Sequence, residues 1–220
     1  MAVLTGAEIV AALRGTPWNL FLGRLHASFA VENLAAGVRL ADRVSEAADS
    51  AGHHPDIDLR YTSVHLVLVS HDVQAVTVRD VRLALTIAEI ASAEGLAPSA
   101  TSPQITEIAV DALDIPTIRP FWKTVLAYVD GIDLDSEVGD LCDPRGIGPS
   151  VWFQQMSEPR VQRNRIHLDV TIAHREAPAR LAAALDAGGV LVSDAAAPRF
   201  WVVADAEGNE VCICTPEGRH

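Results

Sequence analysis

Lysine is almost missing from this 220-residue chain: Lys123 is the only one, and the formal charge is −12. The arginines are scattered and form no basic patch, which argues against a nucleic-acid or anionic-membrane partner, since both demand clustered cations. Long apolar runs are missing too. None approaches the roughly 20 residues that would span a bilayer. The N-terminal run Met1-Ala-Val-Leu-Thr-Gly-Ala-Glu8 has no positive segment ahead of an apolar core, so a secretory signal is not expected there. Cysteine is scarce. Cys142, Cys212 and Cys214 cannot all pair internally, and Cys212 and Cys214, two apart in a strand-like run, share a face without facing each other. A reduced, cytoplasmic protein is the expectation.

What is present is a normal globular balance, 49% apolar and 21% charged, sufficient for a sizeable core. The length suits two domains of about 100 residues each. The stretch Glu94-Gly-Leu-Ala-Pro-Ser-Ala-Thr-Ser-Pro-Gln104 has two prolines and many small polar residues. It follows a helical pattern and precedes a strand-like one, so it divides the chain. The expected domains are 1–97 and 105–220, with 98–104 as linker.

In the first segment, Leu4 to Leu13 reads as a short helix and Asn19 to Phe29 as a ragged strand. Val31, Leu34, Val38, Ala41, Val44 and Ala48 recur at three- and four-residue intervals, the signature of one buried helix face. Gly52 ends that helix, and His53-His54-Pro55 follows in the turn, where Pro55 biases His54 toward an extended backbone. Tyr61–Val69 is β-rich, with Val64, Leu66 and Leu68 on one face. A helix runs from Thr77 to about Ala93. Helices packed on one face of an antiparallel sheet, an α+β class, fit this order. The second segment reads as strand (Ile105–Val110), helix (Pro116–Tyr128) and strand (Ser150–Met156). A strand (Arg165–Ile172), a helix (Pro178–Ala187) and strands near Val190–Val192, Phe200–Ala204 and Glu210–Cys214 follow. Two βα starts followed by strands suggest an internal duplication.

Five of the eight histidines, His26, His53, His54, His65 and His71, lie in the first segment, four of them within 19 residues. Imidazole exchanges protons near neutrality, so such a cluster points to acid–base work. The adjacent His53-His54 lacks the spacing of common zinc sites, and no cysteine lies in this half. His65 reads as a strand residue only. Asp80, three residues after Thr77, has the position of a capping-box carboxylate.

Asp49-x-x-x-His53-His54-Pro55, followed by Tyr61, His71 and Asp80 at these spacings, resembles the pterin-4a-carbinolamine dehydratases, over about Trp18 to Ala91. The resemblance implies that His53, His54 and His71 surround a pterin, with Asp80, Pro55 and Asp49 beside it. It implies dehydration of a 4a-hydroxytetrahydropterin to quinonoid dihydropterin, with no required metal or redox cofactor, in a homo-oligomer. One departure stands at Val73-Gln-Ala-Val-Thr77, where the usual pattern carries glycine at the position of Ala75.

Residues 105–216 resemble the glyoxalase-like members of the vicinal oxygen chelate superfamily. The matching residues are Asp114 with Phe121-Trp122, Asn164-Arg-Ile-His-Leu-Asp-Val170, and Asp205-Ala-Glu-Gly-Asn-Glu-Val-Cys212. That implies paired βαβββ modules of the glyoxalase/bleomycin-resistance kind. Active members hold a divalent metal through four strands; here Glu107, His167 and Cys212 fall at such positions, with Gln154 or Gln155 as a further donor. Cys212 stands where glutamate is usual. Trp152, Phe153 and Trp201 supply aromatic surface for a pocket or for core. Two alternatives stay open: a metal-dependent lyase, isomerase or dioxygenase in the second domain, or a non-catalytic pterin-binding or dimerisation module.

Overall fold

The structure is a computed structural model that describes residues 2–100, 103–131, 139–159 and 166–216. It divides into two compact units, Met1–Ile105 and Thr106–His220.

The first unit runs α1 (Gly6–Ala12), β1 (Asn19–Phe21), β2 (Arg24–Ala30), α2 (Leu34–Ala51), β3 (Asp56–Leu59), β4 (Ser63–Leu68) and α3 (Val78–Ala93). The strands form one antiparallel sheet in the order β1-β2-β4-β3. Period-2 alternation sends Leu25, Ala27 and Phe29 of β2 and Val64, Leu66 and Leu68 of β4 to one face. There they meet Leu40, Val44 and Ala48 of α2 and Leu83, Ala84 and Ile87 of α3, all buried in one core. The pattern expected one strand over 19–29, but the chain makes a hairpin. Leu22 and Gly23 both take positive φ, +45° and +71°, the backbone of a two-residue turn whose twist suits the flanking strands. The sequence pattern placed no residue range on β3, because a four-residue edge strand with Asp56 and Asp58 on one face offers little apolar periodicity. Ala97 to Ser99, at the border of the segment read as linker, hydrogen-bond alongside β2 through Ala30 and Ser28.

α2 begins at the Asn33 cap, whose side chain accepts from Ala36 N–H, and ends at Gly52 in the left-handed region (φ +59°). That single left-handed residue turns the chain sharply and delivers His53-His54-Pro55 to the end of the sheet.

The second unit runs β5 (Glu107–Ala112), α4 (Ile115–Leu126), β6 (Val129–Asp130), β7 (Leu141–Cys142), β8 (Ser150–Gln155), β9 (Leu168–Thr171), α5 (Ala177–Asp186), β10 (Val190–Ser193), β11 (Phe200–Ala204) and β12 (Glu210–Cys214). Its two sheets have the orders β5-β8-β7-β6 and β9-β12-β11-β10. In each, the first strand pairs parallel to the last and the other pairings are antiparallel. The same βαβββ topology therefore occurs twice, as the strand–helix rhythm of the sequence suggested. Phe121 and Trp122 of α4, Ala184 of α5, Val151, Val203, Val211 and Ile213 share its core. Asn164 and Arg165 of the second motif lie outside the described residues.

Candidate active site

The turn after α2 carries two histidines in opposite situations. His53 is buried (7% exposed), and His54 is exposed. His53 Nε2 lies 2.7 Å from Asp80 Oδ1. A carboxylate only accepts, so Nε2 carries the proton and Nδ1 is the lone-pair nitrogen. Asp80 is fully buried, and its other oxygen accepts from Ser70 Oγ (2.6 Å), Thr77 N–H (2.7 Å) and Thr77 Oγ1 (3.0 Å). Ser70 and Thr77 hydroxyls also meet at 2.9 Å. Asp80 thus closes the capping box of α3, as its position three residues after Thr77 suggested, and binds His53 at the same time. A buried carboxylate tolerates desolvation only when its oxygens are saturated with donors, as here.

His54 Nε2 lies 2.9 Å from Asp49 Oδ1, on the last turn of α2. His71 is exposed and follows Ser70 directly, so the Ser70–Asp80–His53 chain of bonds ties the loop bearing His71 to the turn bearing the other two. Its carbonyl accepts from Gln74 Nε2 (2.9 Å). Pro55 is half-buried beside His54, and Tyr61 is 75% exposed in the β3–β4 turn. At the departure from the family pattern, Ala75 is buried. The left-handed residue of this loop is Gln74 (φ +50°), and Ala75 itself has no positive φ. Ser70 was missed by sequence reasoning, although a hydroxyl at a strand end ahead of a Thr-x-x-Asp box was a usable signal.

His26 and His65 lie apart from this network, on the sheet face away from the helices. His65 is more than a strand residue: its Nε2 lies 3.3 Å from His26 Nδ1. Burial, then the His65 and Arg24 charges, push the His26 imidazole down to about 4. Burial also lowers His65, against the pull of Asp58.

In the second unit, His167, Asp169 and Cys212 bring one donor atom each within 4.8 Å of one another. Asp169 pairs directly across from Cys212, and its Oδ1 is 3.5 Å from His167 Nε2. Burial and then Asp169 raise the Cys212 thiol to about 11. Glu107, expected with His167 and Cys212, is not in this group; it sits on the other sheet and takes Ser150 Oγ at 3.3 Å. Gln155 is spent on backbone carbonyls of Ala112, Leu113 and Met156, and Gln154 is exposed. Trp201 and Phe153 pack on the core.

An antiparallel four-stranded sheet backed by helices, with two imidazole–carboxylate pairs at one turn, makes the first unit a small α+β unit. Residues 2–90 match the family described as pterin 4 alpha carbinolamine dehydratase, and residues 107–214 match the family described as glyoxalase-like domain. A protein of Thermomicrobium roseum named "Putative pterin-4-alpha-carbinolamine dehydratase" is 39% identical over 93 residues, 42% of this chain and 100% of that relative. The chain belongs to the pterin-4a-carbinolamine dehydratase family and carries a glyoxalase-like domain behind it. Among solved structures, a transcriptional coactivator/pterin dehydratase from Brucella melitensis covers 41% of this chain and 99% of its own, at 25% identity and TM-score 0.39. A glyoxalase/bleomycin resistance protein/dioxygenase family enzyme from Burkholderia phytofirmans covers 51% and 98%, at 15% identity and TM-score 0.43. Among the described residues no helix is long and apolar enough to cross a membrane.

Proposed function

We propose that the first unit is a hydro-lyase that dehydrates a 4a-hydroxytetrahydropterin to quinonoid dihydropterin and water. The observation that carries this reading is the pairing of each histidine of the turn with its own carboxylate, His53 with buried Asp80 and His54 with exposed Asp49. The reaction breaks the C4a–O bond. The departing hydroxyl takes a proton from an acid and leaves as water, while a base removes the proton from ring nitrogen. An imidazole can serve at either end near pH 7, each transfer contributing on the order of 10²–10⁴ in rate. His53, with Nε2 held by Asp80, offers only Nδ1 and is fixed in orientation. His54 stands in solvent, paired with Asp49, where water can exchange its proton. His71 borders the site from the end of β4.

A pterin is a flat, polar small molecule, and the unit acts on it as a homo-oligomer in the cytoplasm. The test is dehydration of freshly generated 4a-hydroxytetrahydropterin followed by ultraviolet absorbance. Acceleration over the spontaneous rate supports the reading; a folded chain that leaves the rate unchanged refutes it.

A second reading concerns the glyoxalase-like unit. The nitrogen, oxygen and sulfur donors of His167, Asp169 and Cys212 suit a borderline ion such as zinc, on condition that the Cys212 thiol gives up its proton. Such an ion would supply Lewis acidity, and these residues would hold it. Zinc content after dialysis tests this: His167→Ala and Cys212→Ser should each remove it.

A further inference from the structure

The sheet face that the helices leave open carries polar side chains beside Val67 and Phe21, whose ring centroid lies 5.7 Å from that of His26. Cross-strand pairing places Asn19, His26, Val67 and Asp56 in one row and Ser28, His65 and Asp58 in the next. His26 and His65 are diagonal neighbours, close enough for their side chains to meet. Their rings lie 5.5 Å apart at an interplanar angle of 30°.

The 3.3 Å between His26 Nδ1 and His65 Nε2 is long for a ring N–H hydrogen bond, whose N–H···O counterparts cluster near 2.9–3.0 Å. It matches another geometry. Two imidazoles bound to one tetrahedral zinc at about 2.0–2.1 Å have their nitrogens about 3.3–3.4 Å apart. Asp58, directly across from His65, adds an oxygen donor and negative charge on the same face, at present turned to Arg60 Nε (2.8 Å).

We propose that His26 and His65, assisted by Asp58, form a binding site for a divalent transition-metal ion of the zinc class on the open sheet face of the first unit. The site is separate from the His53–Asp80 network and from the cluster at Cys212. It uses Nδ1 of His26 and Nε2 of His65, with water completing the shell.

The experiment titrates Zn²⁺ into the full chain carrying His167→Ala and Cys212→Ser, in competition with a chromophoric chelator at pH 7.5. Expected is one Zn²⁺ per chain, with affinity falling at least about tenfold on adding His65→Ala. Asp58→Asn should weaken binding less. His26 is buried, so His26→Gln can perturb folding. His65 is half-buried on the open face, so His65→Ala, checked by circular dichroism, carries the decision. No Zn²⁺ uptake by the starting chain, or undiminished affinity in folded His65→Ala, overturns the proposal.

Discussion

Replacing Asp80 by asparagine exchanges one carboxylate oxygen for an NH₂ and keeps the shape, yet it should disable the site in a specific way. In the wild type both carboxylate oxygens accept, one from His53 and the other from Ser70 and from Thr77 N–H and Oγ1. Asparagine keeps one oxygen. The two strongest donors on the Thr77 side hold it, so the new NH₂ faces His53 Nε2. That nitrogen must then accept, which moves the ring proton to Nδ1 and inverts the nitrogen offered to substrate. A lone-pair base becomes an N–H, and general acid–base catalysis should fall by about 10² or more. Stability should fall as well. Charge-assisted hydrogen bonds contribute about 1.5–3 kcal/mol each, and asparagine weakens several without leaving a donor wholly unpaired. A loss of about 2–3 kcal/mol in the unfolding transition of the first unit is expected, read from urea denaturation, alongside the dehydration rate. An Asp80→Asn chain within twofold of wild-type rate and within about 0.5 kcal/mol of its stability would refute the reasoning.

Other outcomes follow from the same geometry. Ser70→Ala removes the 2.6 Å bond to Asp80 but leaves His53 paired, so it should cost about 1–3 kcal/mol in urea unfolding and less rate than Asp80→Asn. His26 has a folded value of about 4 against 6.5 for the unfolded chain. The unfolded state binds more protons between these values, so stability conferred by neutral His26 is complete above pH 6.5 and is lost as pH falls toward 4. The size is at most about 3 kcal/mol. His26→Gln should flatten that part of the stability–pH curve, and an unchanged slope would contradict the assignment. Phe29→Ala, in the fully packed core between sheet and helices, should cost about 3–5 kcal/mol by the same denaturant measurement.

The helices were legible because apolar residues three and four apart leave few alternatives. Val44 and Ala48 of α2 are buried as their spacing demands, whereas Leu34 and Val38 on the same pattern are half exposed. The Thr77–Asp80 box was legible because capping is local. β3 and the Leu22-Gly23 turn were not, since an acidic four-residue edge strand and a leucine at positive φ contradict the usual local signals. The His26–His65 pair was beyond sequence reading for a different reason. It depends on the register between β2 and β4, in which a shift of one residue would send either ring to the core. Asp169 was within reach: two residues after His167 on a strand, it had to share that face.

The central claim, that the histidines of the turn and of the β4 end perform proton transfer on a pterin, is tested most directly by comparing dehydration rates of wild type, His54→Ala and His71→Ala on freshly generated 4a-hydroxytetrahydropterin. Both side chains are exposed, so their removal should leave folding intact. The account predicts that wild type accelerates the reaction and that each variant loses about 10² or more of that acceleration. Wild-type acceleration that survives both substitutions would contradict it.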